Sequence, residues 1–159
     1  MIKDLFLIRH AESSHPSGVK DFDRPLNEKG YMEAEKMSGK LAHYSLQPEL
    51  LISSPAKRAL STATIFADGL QIPAHQIQPE NMIYEASIPM LLSIINYLPE
   101  QYNQVALFGH NPGITEFAIY LSDTYIANIP TAGIIHIRFA TEWNMISAGS
   151  GEIKWEAST

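Results

Sequence analysis

The 159-residue chain carries 17 acidic against 11 basic side chains, a formal charge of −6, which argues against nucleic acid or an anionic membrane as its main partner. Cysteine is absent, so disulfides, thiolate metal sites, iron–sulfur clusters and cysteine nucleophiles are excluded as well. With 45% hydrophobic and 18% charged residues, the expectation is a soluble, cytoplasmic chain forming a single domain over residues 1–159, long enough to bury roughly 70% of its unfolded surface.

Apolar runs of strand length alternate with longer stretches of helical period. Residues 5–9 (LFLIR) read as a strand buried on both faces. The run is too short for a signal segment and is closed by Arg9-His10; no other stretch approaches a membrane span. Asn27 caps a helix to about Tyr44, with Tyr31, Ala34, Met37 and Leu41 on one face and Lys29, Glu33, Lys36 and Lys40 turned away. Residues 50–53 (LLIS) form a second strand, after which Ser54 caps the next helix and Pro55 takes its first position. Near Ile77 a short strand leads to a loop through Tyr84-Glu85, and a helix follows from about Ile88 to Tyr97, ended before Pro99.

Residues 105–109 (VALFG) are the clearest strand, and Asn111-Pro112 repeats the cap-plus-proline device for a helix to about Leu121. Residues 120–129 are expected to pack locally or cover the sheet. In residues 133–139, Ile135 and Ile137 alternate with His136 and Arg138, a pattern that predicts a strand at a sheet edge. Residues 152–156 (EIKWE) supply a final edge strand. Strand and helix alternating from the N-terminus predict an α/β sandwich with a mainly parallel sheet.

Three apolar strands end in polar residues. The first closes on Arg9-His10, the second on Ser53-Ser54-Pro55 with Arg58 one turn into the helix, and the third on Gly109-His110-Asn111-Pro112. The carboxyl ends of parallel strands form one crevice where ligands bind, so two histidines, two arginines and two helix N-termini gather there. Helix N-termini present free N–H groups and partial positive charge, which suits a phosphate. With no cysteine, no paired acidic metal cluster and no P-loop lysine motif, the phosphate chemistry left is attack by an imidazole, which must be neutral. One unit charge about 4 Å away at an effective dielectric of about 20 is worth about 4 kcal/mol, so the arginines are expected to hold that imidazole uncharged. Arginines also match the charge spread over the equatorial oxygens of a transferring phosphoryl group.

Taken in order, LIRHAES, RPLNEKG, SPAKRALSTA and FGHNPG resemble the motifs of the histidine phosphatase superfamily, specifically its short SixA-like phosphohistidine phosphatases. The resemblance implies a phosphoglycerate mutase-like, three-layer α/β/α sandwich with a mainly parallel central sheet and no cap insertion. It implies His10 as the nucleophile, transiently phosphorylated, with Arg9, Arg58 and His110 on the phosphoryl oxygens, Arg24 and Asn111 at the substrate entrance, and neither metal nor cofactor. Two positions depart from the family pattern: Arg-His-Gly reads Arg-His-Ala at Ala11, and Ser61 replaces the glutamine that often precedes Thr62. Glu85 is the nearest match to the general acid of mutase-like members, or else a surface loop residue. Arg24, flanked by Asp21 and Asp23, either lines the entrance or only holds its loop. His15, His43, His75 and His136 read as structural or exposed, without ligand spacing for a metal.

Only about 23 residues separate Arg58 from Met82 and about 24 separate Glu85 from His110, too few to hold a second lobe beside the elements assigned there. The SixA-like resemblance implies a phosphorylated protein carrying phosphohistidine as the partner, which an open crevice admits. The alternatives are a phosphatase of small phosphomonoesters with the same mechanism and, in a different class, a non-catalytic phosphate-dependent binding module.

Overall fold

The computed structural model describes residues 1–159 and contains one six-stranded sheet. The strands are β1 (Lys3–Arg9), β2 (Leu50–Ser53), β3 (Ile77–Pro79), β4 (Gln104–Gly109), β5 (Ile134–Phe139) and β6 (Gly151–Ala157), in the order β3-β2-β4-β1-β5-β6. The first four of these positions are parallel, whereas β5 runs antiparallel to β1 and β6 antiparallel to β5.

Because successive side chains point to opposite faces of a strand, each central strand feeds two cores. Leu5, Leu7, Val105 and Leu107 pack under α3 (Ile88–Asn96) and α4 (Gly113–Ser122). Phe6, Ile8, Ala106 and Phe108 pack under α1 (Glu28–His43) and α2 (Lys57–Gly69). This is why the central strands read as unbroken apolar runs, and it yields the three-layer α/β/α sandwich of the phosphoglycerate mutase-like class, with no inserted cap. No helix is long and apolar enough to cross a membrane.

Helix α1 starts where its sequence says it should: the Asn27 side chain accepts from the Gly30 N–H at 2.8 Å. Its buried stripe is rotated from the expected one. Tyr31 is 47% exposed, whereas Glu33 is buried with Ala34, Met37 and Leu41. The reason is a close approach at Gly30, where a Cβ would lie 2.0 Å from the Glu12 carbonyl oxygen. The first turn of α1 thus sits directly on the turn that follows β1, and Glu33 is drawn under it. Its carboxylate accepts from the Glu12 N–H and from the Thr131 hydroxyl, both at 2.9 Å, which satisfies the buried charge.

Three further expectations are corrected. Helix α2 starts at Lys57 behind Ala56, and α4 at Gly113 behind Pro112, neither with a side-chain cap. Ser54 and Asn111 are therefore not the N-caps, because their side chains have other partners described below. Strand β5 lies between β1 and β6 rather than at an edge. Its alternating polar residues face protein: His136, 1% exposed, meets the carboxylate of Asp4 at 2.6 Å, and Arg138 donates to the same carboxylate at 2.8 Å. The true edge on that side is β6. Beyond α4, the segment to residue 133 returns to the sheet, placing Ile126 and Ile129 in the core and leaving Tyr125 85% exposed.

Candidate active site

Register sets the site. Arg9 of β1 is paired with Gly109 of β4, so the next residue of each chain, His10 and His110, leaves the sheet at the same level. Their ring centroids lie 5.2 Å apart. The end of β2 joins them, because the Ser54 N–H donates to the Phe108 carbonyl at 3.0 Å.

His10 is 7% exposed, and its Nδ1 lies 2.7 Å from the Ala11 carbonyl. A carbonyl can only accept, so Nδ1 carries the proton and Nε2 is left with a lone pair. The turn beneath is anchored to α2: the Ala11 N–H donates to Thr62 Oγ1 at 2.9 Å, and that hydroxyl donates to the Arg58 carbonyl at 2.8 Å. Burial is the largest influence on His10; the Ala11 carbonyl opposes it, and the charges of Arg58, Arg9 and Arg24 reinforce it, so the pKa is pushed down to about 4. The arginines therefore act as expected but come second to desolvation. In His110, burial again leads, followed by His10 and Arg58, and the pKa falls to about 3. His110 Nε2 lies 2.7 Å from Ser54 Oγ.

Arg58 sits in the first turn of α2, where the helix dipole disfavours a cation and some other partner is needed. That partner is Asp21, in the short turn Asp21–Asp23. Nη1 of Arg58 donates to the Asp21 carbonyl at 2.7 Å and Nη2 to Oδ2 at 3.1 Å. Tyr84 also donates to Oδ2, at 2.6 Å, and Arg24 Nε to Oδ1 at 3.0 Å. These donors, Tyr84 first and then Arg24 and Arg58, outweigh desolvation and hold the Asp21 carboxyl far below the usual carboxylate range. Tyr84 in turn packs edge-on against His110, with ring centroids 5.6 Å apart.

Three buried side-chain nitrogens have no hydrogen-bond partner: Arg9 Nε, Arg58 Nε and His110 Nδ1. A buried polar group left unpaired costs about 1–3 kcal/mol, and three on neighbouring residues at one strand edge signal a site built for acceptor oxygens. The adjoining cavity, about 380 Å³, is lined by Asp21, Arg58, Tyr84, Glu85, His110 and Asn111 together with residues 86, 112 and 113. Such an arrangement can bind a tetrahedral anion beside a neutral imidazole.

The remaining candidates divide. Glu85 stands on the cavity wall in a left-handed conformation, φ 56°, an unusual state for a residue with a Cβ and one that clusters at functional sites. Asn111 is on the wall too, but its amide is spent structurally: Nδ2 donates to the Ile129 carbonyl at 2.8 Å and Oδ1 accepts from Thr115 at 2.6 Å. Arg9 Nη1 donates to the same Ile129 carbonyl at 3.1 Å. Arg24 does not line the cavity; it ties Asp21 to Ser13 Oγ, 2.6 Å away, and to the Ser14 carbonyl. Local sequence assigns no role at the site to Asp21, Tyr84 or Thr62. The only local signal was the Asp21-to-Arg24 spacing, and nothing in it points to Arg58.

Against known proteins, the family model for the histidine phosphatase superfamily (branch 1) matches residues 5–82. An uncharacterized Mycobacterium tuberculosis protein is 29% identical over 152 residues, covering 89% of this chain and 93% of that one. An Agrobacterium tumefaciens structure provisionally named phosphohistidine phosphatase SixA is 25% identical, with a TM-score of 0.82 over 99% of this chain and 98% of that one. The protein histidine phosphatase SixA solved with tungstate shares the fold at a TM-score of 0.85 and 20% identity, over 98% and 96% of the two chains. A strand edge that presents paired imidazoles and arginines, a family model that matches residues 5–82 and these neighbours point the same way: the chain is similar to the histidine phosphatase superfamily and shares the fold of SixA-like phosphatases.

Proposed function

We propose that the protein dephosphorylates phosphohistidine on a partner protein by way of a phosphoryl group carried on His10. The observation that carries this reading is a buried, neutral His10 whose Nδ1 proton is committed to the Ala11 carbonyl, beside unpartnered nitrogens on Arg9, Arg58 and His110. Burial spares the imidazole the need for a separate base at neutral pH.

In this mechanism the phosphoryl oxygens take hydrogen bonds from Arg9, Arg58 and His110. The lone pair on His10 Nε2 attacks phosphorus. The bond from phosphorus to the substrate imidazole breaks, and its electron pair leaves with that ring, which takes a proton from Glu85 or from water. A water molecule then attacks the phosphorylated His10, the bond from phosphorus to Nε2 breaks, and inorganic phosphate departs. The proton lost by that water returns to Glu85 or the solvent, and His10 is neutral again. Arginine suits the dispersed charge of both transition states.

Two features favour phosphohistidine over an ester. Imidazole leaves more readily than an alkoxide, so less is asked of the exposed Glu85 as an acid. The cavity has no cap, so a protein side chain can reach it. Binding of tungstate, a tetrahedral oxyanion, by a SixA of the same fold supports the anion site. A small-molecule reading draws on another fold relative, a mycobacterial glucosyl-3-phosphoglycerate phosphatase, at a TM-score of 0.74 and 14% identity.

The test is rapid-quench labelling combined with kcat/KM on a phosphohistidine protein, phosphoramidate and alkyl phosphate esters. An acid-labile label is expected on the wild type and not on His10→Ala, whose turnover falls by roughly 10³-fold or more. Phosphohistidine is expected to be the best substrate, with Glu85→Gln costing more on the esters than on it. Higher efficiency on esters would establish the small-molecule reading. Phosphate binding with no label and no turnover would make the protein a binding module.

A further inference from the structure

We propose that Ser54 is a positioning residue that fixes the tautomer of His110, placing the imidazole proton on Nδ1 so that this nitrogen donates to the phosphoryl group. The inference rests on the anion site described above and adds a residue to its machinery. Ser54 is fully buried at the end of β2, and its hydroxyl has two hydrogen-bond partners. On one side the Ala56 N–H donates to Oγ at 3.2 Å. On the other lies His110 Nε2 at 2.7 Å.

A serine hydroxyl has one proton and two lone pairs. Ala56 occupies one lone pair, and the proton then has a single acceptor within reach, the Nε2 of His110. Were Nε2 protonated instead, it would donate to Ser54, and the serine proton would be left buried without an acceptor, a state native interiors avoid. Accepting from Ser54, the uncharged His110 must carry its own proton on Nδ1. That nitrogen is the buried, unpartnered one. As N–H it is a donor beside Arg9 and Arg58; as a bare lone pair it would repel an anionic oxygen. The depressed pKa of His110, about 3 through burial first and then the charges of His10 and Arg58, keeps the ring neutral and makes the choice between its nitrogens matter. Orientation of a ligating histidine through its second nitrogen is a general device, worth roughly 10–100-fold where it has been tested on metal sites.

Imidazole 15N NMR of the labelled wild type at pH 7, with the His110 signals identified by their loss in His110→Asn, reads the tautomer directly. The expected spectrum has a protonated Nδ1 and an unprotonated Nε2 at His110. In Ser54→Ala the Nε2–H form should gain population and the inhibition constant for inorganic phosphate should rise by roughly tenfold. An Nε2–H tautomer in the wild type overturns the proposal, whether or not Ser54→Ala folds. So does a folded Ser54→Ala that keeps either the Nδ1–H form or the wild-type phosphate affinity. The phosphatase reading fails separately, through absence of the His10 label, so the two failures are distinguishable.

Discussion

Two ends of the same sheet bury histidine in opposite ways. Near the start of β1, His136 has both nitrogens engaged, Nε2 with Asp4 at 2.6 Å and Nδ1 with the Tyr44 hydroxyl at 2.8 Å, and its ring stacks on Phe6. At the other end of β1, His10 and His110 each have one nitrogen engaged and one without a partner, and the arginines around them share the deficit. Burial is similar. The difference is satisfaction: a fully paired histidine is part of the framework, whereas unpaired polar groups are kept at a stability cost and mark where a ligand belongs.

Substitutions at the two ends should accordingly separate activity from stability. After the loss expected of His10→Ala, the largest effect is expected at Arg58→Ala, which removes an anion donor; kcat/KM should fall roughly 10²–10³-fold, measured on phosphoramidate, with only a modest shift in melting temperature. Thermal denaturation of Asp4→Ala should show the reverse. Breaking a buried pair costs about 3 kcal/mol or more, which corresponds to roughly 6–12 °C in a chain of this length, and kcat/KM should remain within about twofold of wild type. If Asp4→Ala abolished turnover at temperatures where it is folded, the division between framework and site would collapse.

Tyr44→Phe sharpens the comparison, because it leaves His136 Nδ1 buried and unpaired, as His110 Nδ1 already is. About 1–2 kcal/mol of stability should be lost, readable as a lowered urea midpoint without change in slope.

The smallest expected effect is that of acid on the reaction. Because His10 is pushed from 6.5 down to about 4, it stays neutral and nucleophilic across the range where an ordinary imidazole titrates. Log kcat/KM, corrected for the substrate's own ionisation, should be flat from pH 7 to about 5 and bend only near 4. Stability follows the same groups with a definite sign. The unfolded chain binds protons at His10 and His110 below about pH 6.5 while the folded chain does not, so their contribution is complete above that pH. It is lost progressively as the pH falls toward about 4 for His10 and about 3 for His110. A kinetic bend near 6.5 would show that His10 is solvated during turnover.

Much of the molecule was legible locally. The apolar runs of β1, β2 and β4 and the Ala34, Met37 and Leu41 positions of α1 follow from side-chain periodicity, and polar residues at three strand ends already implied an anion-binding edge. Expectations failed where a side chain's partner lies far along the chain. Ser54 looks like a helix cap until β4 brings in His110, 56 residues away. Glu33 looks like a solvent-facing helix position until the turn after β1 and Thr131 close over it. The alternation in β5 suggested an exposed edge because Asp4 and Tyr44, the partners that make His136 a buried residue, belong to distant elements.

Hydrophobic periodicity and strand–helix alternation are short-range properties, and they set the layers of the fold, the strand ends that meet and the residue types there. The hydrogen bonds those residues make, and hence which nitrogens are spent and which are free, follow from how distant segments pack together. Hydrogen bonding needs atoms within about 3 Å in the right direction, and in this protein the chain order of the partners, Asp21 with Arg58 and Ser54 with His110, carries no trace of it.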